Sequence, residues 1–167
     1  DFVSFDLAMA NQTLDDVAYL DSDGDGVREY SDGSPLHYRF MIGDDAVSAR
    51  VGEVIQTGLS QAGISTELQP VDYSTQLNKA FYEYDFDLNY WYWGMDPDPD
   101  FAGVIFLCDQ IWWWNDSGYC DEEYDAFYYA SRAAVDHQER VDAVWAMQEK
   151  IYNDRPWIPL LYRTIIQ

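Results

Sequence analysis

Residues 88–93 read Leu-Asn-Tyr-Trp-Tyr-Trp, an apolar and aromatic run too short for an isolated helix, with Asn89 as its one strongly polar member. Such a run is expected as a strand covered on both faces, the kind found inside parallel sheets. It stops at Gly94, and Asp96-Pro97-Asp98-Pro99-Asp100 follows. The two prolines remove backbone donors and bias the residue before each away from helix, so this loop is stiff as well as acidic. In open α/β sheets ligands bind outside the carboxyl ends of the strands. If the 88–93 strand is central, the loop borders that position and is the leading candidate for a binding site.

The preceding chain supplies the rest of such a sheet. Residues 36–42 alternate as a strand, and 46–62 carry Val47, Val51, Val54, Ile55 and Leu59 at helical spacing, with Gly63 as a left-handed stop. A second strand is expected over 64–71. Asp72 then caps a helix whose Leu77, Ala80, Phe81 and Tyr84 face inward. Crossovers of this length make the strands parallel and the connections right-handed. The fold class is therefore α/β, a mostly parallel central sheet flanked by helices.

Beyond the acidic loop, 101–107 is expected as a short helix, with Asp98 and Asp100 as turn and N-cap residues ahead of it. Further helices are expected over 121–134 and after Asp136, which forms a capping box with Glu139; on the last helix Val141, Val144, Trp145, Ile151 and Tyr152 form the apolar stripe. Residues 157–166, with Pro159 inside, read as an edge strand or an extended exit. Trp112, Trp113 and Trp114 are adjacent and cannot all face one core. At least one is exposed or lines an interface or pocket, either as a lid over the domain's own core or facing a ligand.

At 167 residues the chain is long enough for one domain with a real core. Its 31 acidic residues against 9 basic ones give a net charge of −22, which makes nucleic acid and anionic membrane surfaces poor partners. Lys79 and Lys150 are the only lysines, a balance that suits a protein of a halophile or a secreted one. No apolar run reaches membrane-spanning length, the start shows no signal-peptide pattern, and the chain begins without Met, as expected of an excised domain. Cys108 and Cys120 flank the tryptophan loop and pair if their Cα atoms lie within about 7 Å; otherwise they are free thiols. Pairing places the protein in an oxidising compartment. His37 and His137 are isolated and carry no metal-ligand spacing.

The first helix is expected within 6–20, with Thr13 able to cap it. It leads into the most specific local motif, residues 21–32. Asp21, Asp23, Asp25, Val27 through its carbonyl, Glu29 and Asp32 fall on the ligand positions of an EF-hand-type calcium loop, and Gly26 on its turn position. Calcium is a hard cation that takes oxygens and would relieve the repulsion among five crowded carboxylates. Asp in place of Glu at the last position shortens the reach, and Gly33-Ser34-Pro35 blocks an exit helix. A structural Ca2+ site is expected over a switch, against the alternative of a metal-free turn with solvated carboxylates.

Four stretches, LDDVAYLDSDGDGVREYSDGSPLHYRF, GLSQAGISTELQPVDYSTQLNKAFYEYDFDLNYWYWGMDPDPDF, NDSGYCDEEYDAF and RPWIPLLYR, resemble the extracellular solute-binding proteins of peptide and nickel ABC importers, called family 5. The resemblance implies one lobe of a periplasmic-binding-protein-like fold of type II, a single α/β domain over 1–167 taken from a larger two-lobed protein. It also implies an extracytoplasmic protein, periplasmic or at the cell surface and membrane-anchored in its full-length form. The other lobe and the signal and anchor region are not among these residues. The partners implied are a short peptide or other small solute, the remaining lobe, and a membrane permease that receives the closed form.

In the family's peptide binders an Asp three residues after a Trp pairs with the peptide's α-ammonium group. Trp93-Gly94-Met95-Asp96 matches that spacing, so the resemblance assigns the ammonium to Asp96 and a pocket wall to Trp93. The chemistry agrees, since a carboxylate beside an aromatic wall makes charge-assisted hydrogen bonds to an ammonium in a site that closure dries. The bland alternative for Asp96 is a loop-capping carboxylate ahead of Pro97. Two other functions compete with peptide capture. A carbohydrate-binding protein or glycosidase would use the aromatic excess for sugar stacking, an enzyme requiring two carboxyl groups about 5 to 9.5 Å apart and one raised pKa. A calcium-dependent interaction module would rest on the 21–32 loop alone.

Overall fold

The computed structural model describes residues 4–94 and 96–160. They group into two compact units, Asp1–Lys79 with Asp85–Tyr92, and Ala80–Tyr84 with Trp93–Gln167.

In the first unit, helix α1 (Leu7–Asp16) is capped by Asp6, whose carboxylate accepts the Met9 N–H at 2.9 Å. Thr13 is not the cap. Its hydroxyl donates to the Met9 carbonyl inside the helix, because the extended backbone of Asp6 already directs a carboxylate at the free N–H groups of the first turn. Strand β1 (His37–Gly43), helix α2 (Ala46–Gln61) and strand β2 (Ser65–Val71) follow, then α3 (Tyr73–Asn78) and β3 (Leu88–Asn89). The three strands are parallel in the order β2-β1-β3, with Phe40 level with Leu68 on one side and Leu88 on the other. Asp45 and Asp72 cap α2 and α3, and Gly63 turns the chain at φ +79°.

Two expectations about this unit are corrected. The 88–93 run is not the central, doubly covered strand. Only Leu88–Asn89 joins the ladder, at the sheet's margin, and its side chains are half-buried, whereas β1 is central and buries Phe40, Met41 and Ile42. After the Tyr90 N–H reaches the Met41 carbonyl, Trp91 stacks on Tyr73, and the aromatic side chains take ring partners that a straight strand would not reach. The inner face of α2 also differs from the valine stripe: Val47 and Val54 are exposed, and Ser48 and Gly52 are buried. The helix lies so close to the sheet that a Cβ on Gly52 would stand 3.2 Å from Ile42 Cδ1 and from Leu68 Cδ2.

Arg28, inside the acidic loop, braces this unit. Its guanidinium donates to Asp15, to the Tyr19 carbonyl and to Asn11, and its Nε to the Ala62 carbonyl at 2.9 Å, so one side chain ties α1, the loop and the end of α2.

The second unit begins with part of a π-helical turn, Lys79–Glu83, and continues through α4 (Pro99–Val104), a 3-10 turn at Cys108–Gln110, α5 (Glu122–Ala133) and α6 (His137–Asp154). The helix expected from 101 starts two residues earlier because Asp98 caps it. Ile105, Phe106, Leu107, Tyr124, Tyr128 and Met147 form the core. On α6 Met147 is the buried residue, while Trp145 and Tyr152 of the expected stripe are exposed. Residues 157–160 form no strand, and 161–166 of that expected segment lie outside the described residues. Cys108 and Cys120 are joined by a disulfide, with Cα atoms 4.5 Å apart, closing the tryptophan loop.

Because Gly52 sets the spacing between α2 and the sheet, Gly52→Val should destabilise the protein by about 1 to 3 kcal/mol through overpacking. Urea unfolding checks this, and an unchanged midpoint would contradict the close approach.

Candidate functional site

The segment after β3 enters the second unit at Trp93, whose half-buried indole packs among Phe81, Phe101, Trp114 and Trp157 at centroid distances of 5.7 to 6.3 Å. Its Nε1 donates to Asp116 Oδ2 at 3.3 Å, and Trp157 Nε1 donates to Asp116 Oδ1 at 3.2 Å. Asp116 is 5% exposed and, among the described residues, has no ion-pair partner; burial pushes its carboxyl up to about 6 while the two indole N–H groups work in the opposite direction. Trp93 is thereby packed against the aromatic core and does not line the hollow described next. Gly94 is exposed, with open space where a Cβ would stand, and Met95 lies outside the described residues.

Asp96 does reach a concavity. A hollow of about 470 Å³ is lined by Asp96, Asp98, Asp100 and Phe101 from the start of α4 and by Ser131, Arg132, Ala134 and Arg140 from the end of α5 and the start of α6. Asp98 accepts the Asp100 N–H as the α4 cap and receives Arg140 Nη2 at 2.8 and 3.0 Å. These contacts, the backbone N–H first, hold its carboxyl below the ordinary range. Asp100 accepts the Tyr128 hydroxyl at 3.1 Å and lies 3.5 Å from Arg132 Nε. Two of the three carboxylates are therefore compensated from within. Asp96 is exposed and, among the described residues, has neither a hydrogen-bond nor an ion-pair partner. It does not cap α4, since Asp98 holds that position.

The tryptophan loop is held by Asn115, which is fully buried. Its Nδ2 donates to the carbonyls of Leu107 and Tyr119, and its Oδ1 accepts from Ser117 and Gly118. The Tyr84 hydroxyl donates to the Asn115 carbonyl and accepts the Trp112 N–H. Asn115 and Asp116 were not expected as site-shaping residues. The signal available is their place in Asn-Asp-Ser-Gly, a polar turn sequence directly after an aromatic run.

In the acidic loop, carboxylate oxygens of Asp21, Asp23, Asp25 and Glu29 all lie within 4.8 Å of one another. The loop is wound by N–H bonds from Gly24 and Gly26 to Asp21, from Asp25 to Asp23, and from Val27 to Asp25, with Ser22 donating to Glu29. Asp32 is not brought into the group. Its carboxylate is taken by the Ser34 hydroxyl and N–H, which also hold its pKa down.

The fold around these sites is that of a lobe of the type II periplasmic binding proteins. The sequence profile of the bacterial extracellular solute-binding proteins, family 5 (middle region), matches residues 1–113, and the chain belongs to that family. Among solved structures it is similar to the oligopeptide-binding protein AppA of Bacillus subtilis in complex with a nonapeptide, with TM-score 0.79, 23% identity, and 89% of this chain and 30% of that one covered. It is also similar to a periplasmic oligopeptide-binding protein of Thermotoga maritima with mannohexaose bound, with TM-score 0.82, 23% identity, and 95% and 31% covered. A third is NikZ of Campylobacter jejuni in complex with Ni(L-His), with TM-score 0.80, 18% identity, and 93% and 32% covered. The chain thus spans about a third of the length of these structures. A search of the curated proteins finds no match.

The raised carboxyl of Asp116 makes a pH prediction. The folded protein holds this proton up to about pH 6 and the unfolded chain releases it near 3.8, so the folded state binds more protons in between and the contribution to stability falls as pH rises through that window. Asp116→Asn removes the effect. The stability of the wild type relative to this variant should fall by up to about 3 kcal/mol between pH 4 and pH 7. Denaturant titrations at several pH values check this, and a difference that does not vary with pH would contradict it.

Proposed function

We propose that this chain is one lobe of the solute-binding component of an ABC importer, and that the full-length protein captures a short peptide between two lobes and presents it to a permease. Family membership supports solute capture outside the cytoplasm, and the proposal places the full-length protein in the periplasm or at the cell surface with a membrane anchor. Among the described residues no helix is long and apolar enough to cross a membrane, so the anchoring belongs to the proposal. The observation that carries the peptide reading is the state of Asp96. It is the one carboxylate of the hollow left without a counter-charge among the described residues, and it stands three residues beyond an indole fixed in the aromatic core.

A peptide α-ammonium supplies the missing charge. Removing a charge-assisted hydrogen bond of this kind costs about 1.5 to 3 kcal/mol. Asp96→Asn in the full-length protein should therefore weaken peptide binding at least about tenfold by calorimetry. Unchanged affinity would remove the assignment.

The function is binding without catalysis. A glycosidase needs a carboxylic acid with a raised pKa, and at the hollow Asp98 is shifted the opposite way by its backbone cap and Arg140. Carbohydrate binding is the second reading, favoured by the exposed indoles of Trp112, Trp113 and Trp114.

The acidic loop holds a structural calcium ion through Asp21, Asp23, Asp25 and Glu29 in this proposal. Oxygens on opposite sides of Ca2+ lie about 4.6 to 5.2 Å apart, and the observed separations of up to 4.8 Å suit that spacing. The Val27 carbonyl or water supplies further oxygens, and Asp32 takes no part. Calcium added after chelation should raise the thermal midpoint by mass action, and no shift at millimolar calcium would count against the site.

A further inference from the structure

Trp112, Trp113 and Trp114 are 57%, 62% and 44% exposed on the disulfide-closed 108–120 loop. Their exposure is built into the backbone. The Gln110 carbonyl collects the N–H groups of Trp113, Trp114 and Asn115, and the Tyr84 hydroxyl takes that of Trp112, so the backbone that carries the three indoles is held in one conformation. Trp112 packs edge-on against Tyr84 and Trp114 against Phe101. Trp113 is the most exposed of the three and has no ring partner among the described residues. Adjacent exposed aromatic surface of this kind marks a place where something binds.

The surrounding charge narrows what binds. Between Lys79 and Arg132 the sequence contains no lysine, arginine or histidine, and the loop's exposed charged residue, Asp109, is acidic, Asp116 being buried beneath it. Lys150 pairs with Asp121, Glu123 and Asp154, none of them in the loop. Asp109 is hydrogen-bonded to Gln110 and Tyr129 and has no ion pair among the described residues. Indole faces carry negative potential and attract guanidinium and ammonium groups. The surface is also joined to the hollow, because Phe101 lines the concavity holding Asp96 and stands 6.1 Å edge-on from Trp114.

We infer that the Trp112–Trp114 face receives the cationic side chains of the bound peptide, so that the protein selects arginine- and lysine-bearing peptides. This rests on the peptide reading above and adds the substrate class. A planar guanidinium fits better than an ammonium, since it stacks on an indole as well as carrying charge.

The test uses the full-length protein and two synthetic peptides with free N-termini that differ only in arginine against citrulline, its uncharged isostere, together with Trp113→Ala. Calorimetry should show the arginine peptide binding about two- to fivefold tighter per engaged indole. Trp113→Ala should reduce that preference and leave citrulline-peptide affinity unchanged. Equal affinities in the wild type, or a preference that survives Trp113→Ala, overturn the inference while leaving peptide capture standing. Binding of neither peptide overturns the peptide reading and this inference with it. Trp113-dependent binding of mannohexaose without an arginine preference assigns the face to sugar stacking, and lost affinity for both peptides with a lowered thermal midpoint assigns Trp113 to packing; either result overturns it.

Discussion

The indole of Trp93 anchors the proposed site. Set among four other aromatic rings, with its N–H on a buried carboxylate, it fixes the point from which the chain runs to Asp96. Asp116 bridges this indole to that of Trp157, and the two rings lie nearly parallel, 17° apart. A desolvated carboxylate held by two indole N–H groups is a costly arrangement. The hydrogen-bonded loop around Asn115, closed by the Cys108–Cys120 disulfide, keeps it in place.

Charge distribution at the hollow follows from where the helices end. Asp98 is consumed by capping α4 and by Arg140, and Asp100 by Tyr128 and Arg132. Asp96 precedes the cap and lies beyond their reach. In a molecule of net charge −22, a solvated carboxylate is ordinary. One placed at a concavity beside two arginines already engaged elsewhere is suited to an incoming cation, an interaction that exclusion of water strengthens.

Much of the first unit was legible in the sequence. The alternation of 36–42, the helical spacing of 46–62 and the stop at Gly63 led to β1, α2 and the parallel crossover, because local pattern and tertiary packing agree there. The reading failed where packing decides. Gly52 and Ser48 are buried while Val47 and Val54 are exposed, because the close approach of α2 to the sheet favours small residues at the contact. The apolarity of the 88–93 run points to a central strand, yet its tryptophans serve ring clusters and its ladder is two residues long. The hollow that Asp96 lines is made by helix ends of the second unit, not by the mouth of a central strand, so no local strand pattern points to it. The bridging role of Asp116 depends on residues 23 and 41 positions away, which no local motif reveals.

The most direct measurement is a crystal structure of the full-length protein with a bound peptide. The account predicts the peptide's α-ammonium nitrogen at charge-assisted hydrogen-bond distance, about 2.7 to 2.9 Å, from the Asp96 carboxylate. A peptide held with its amino terminus elsewhere, and Asp96 left facing solvent, would contradict it.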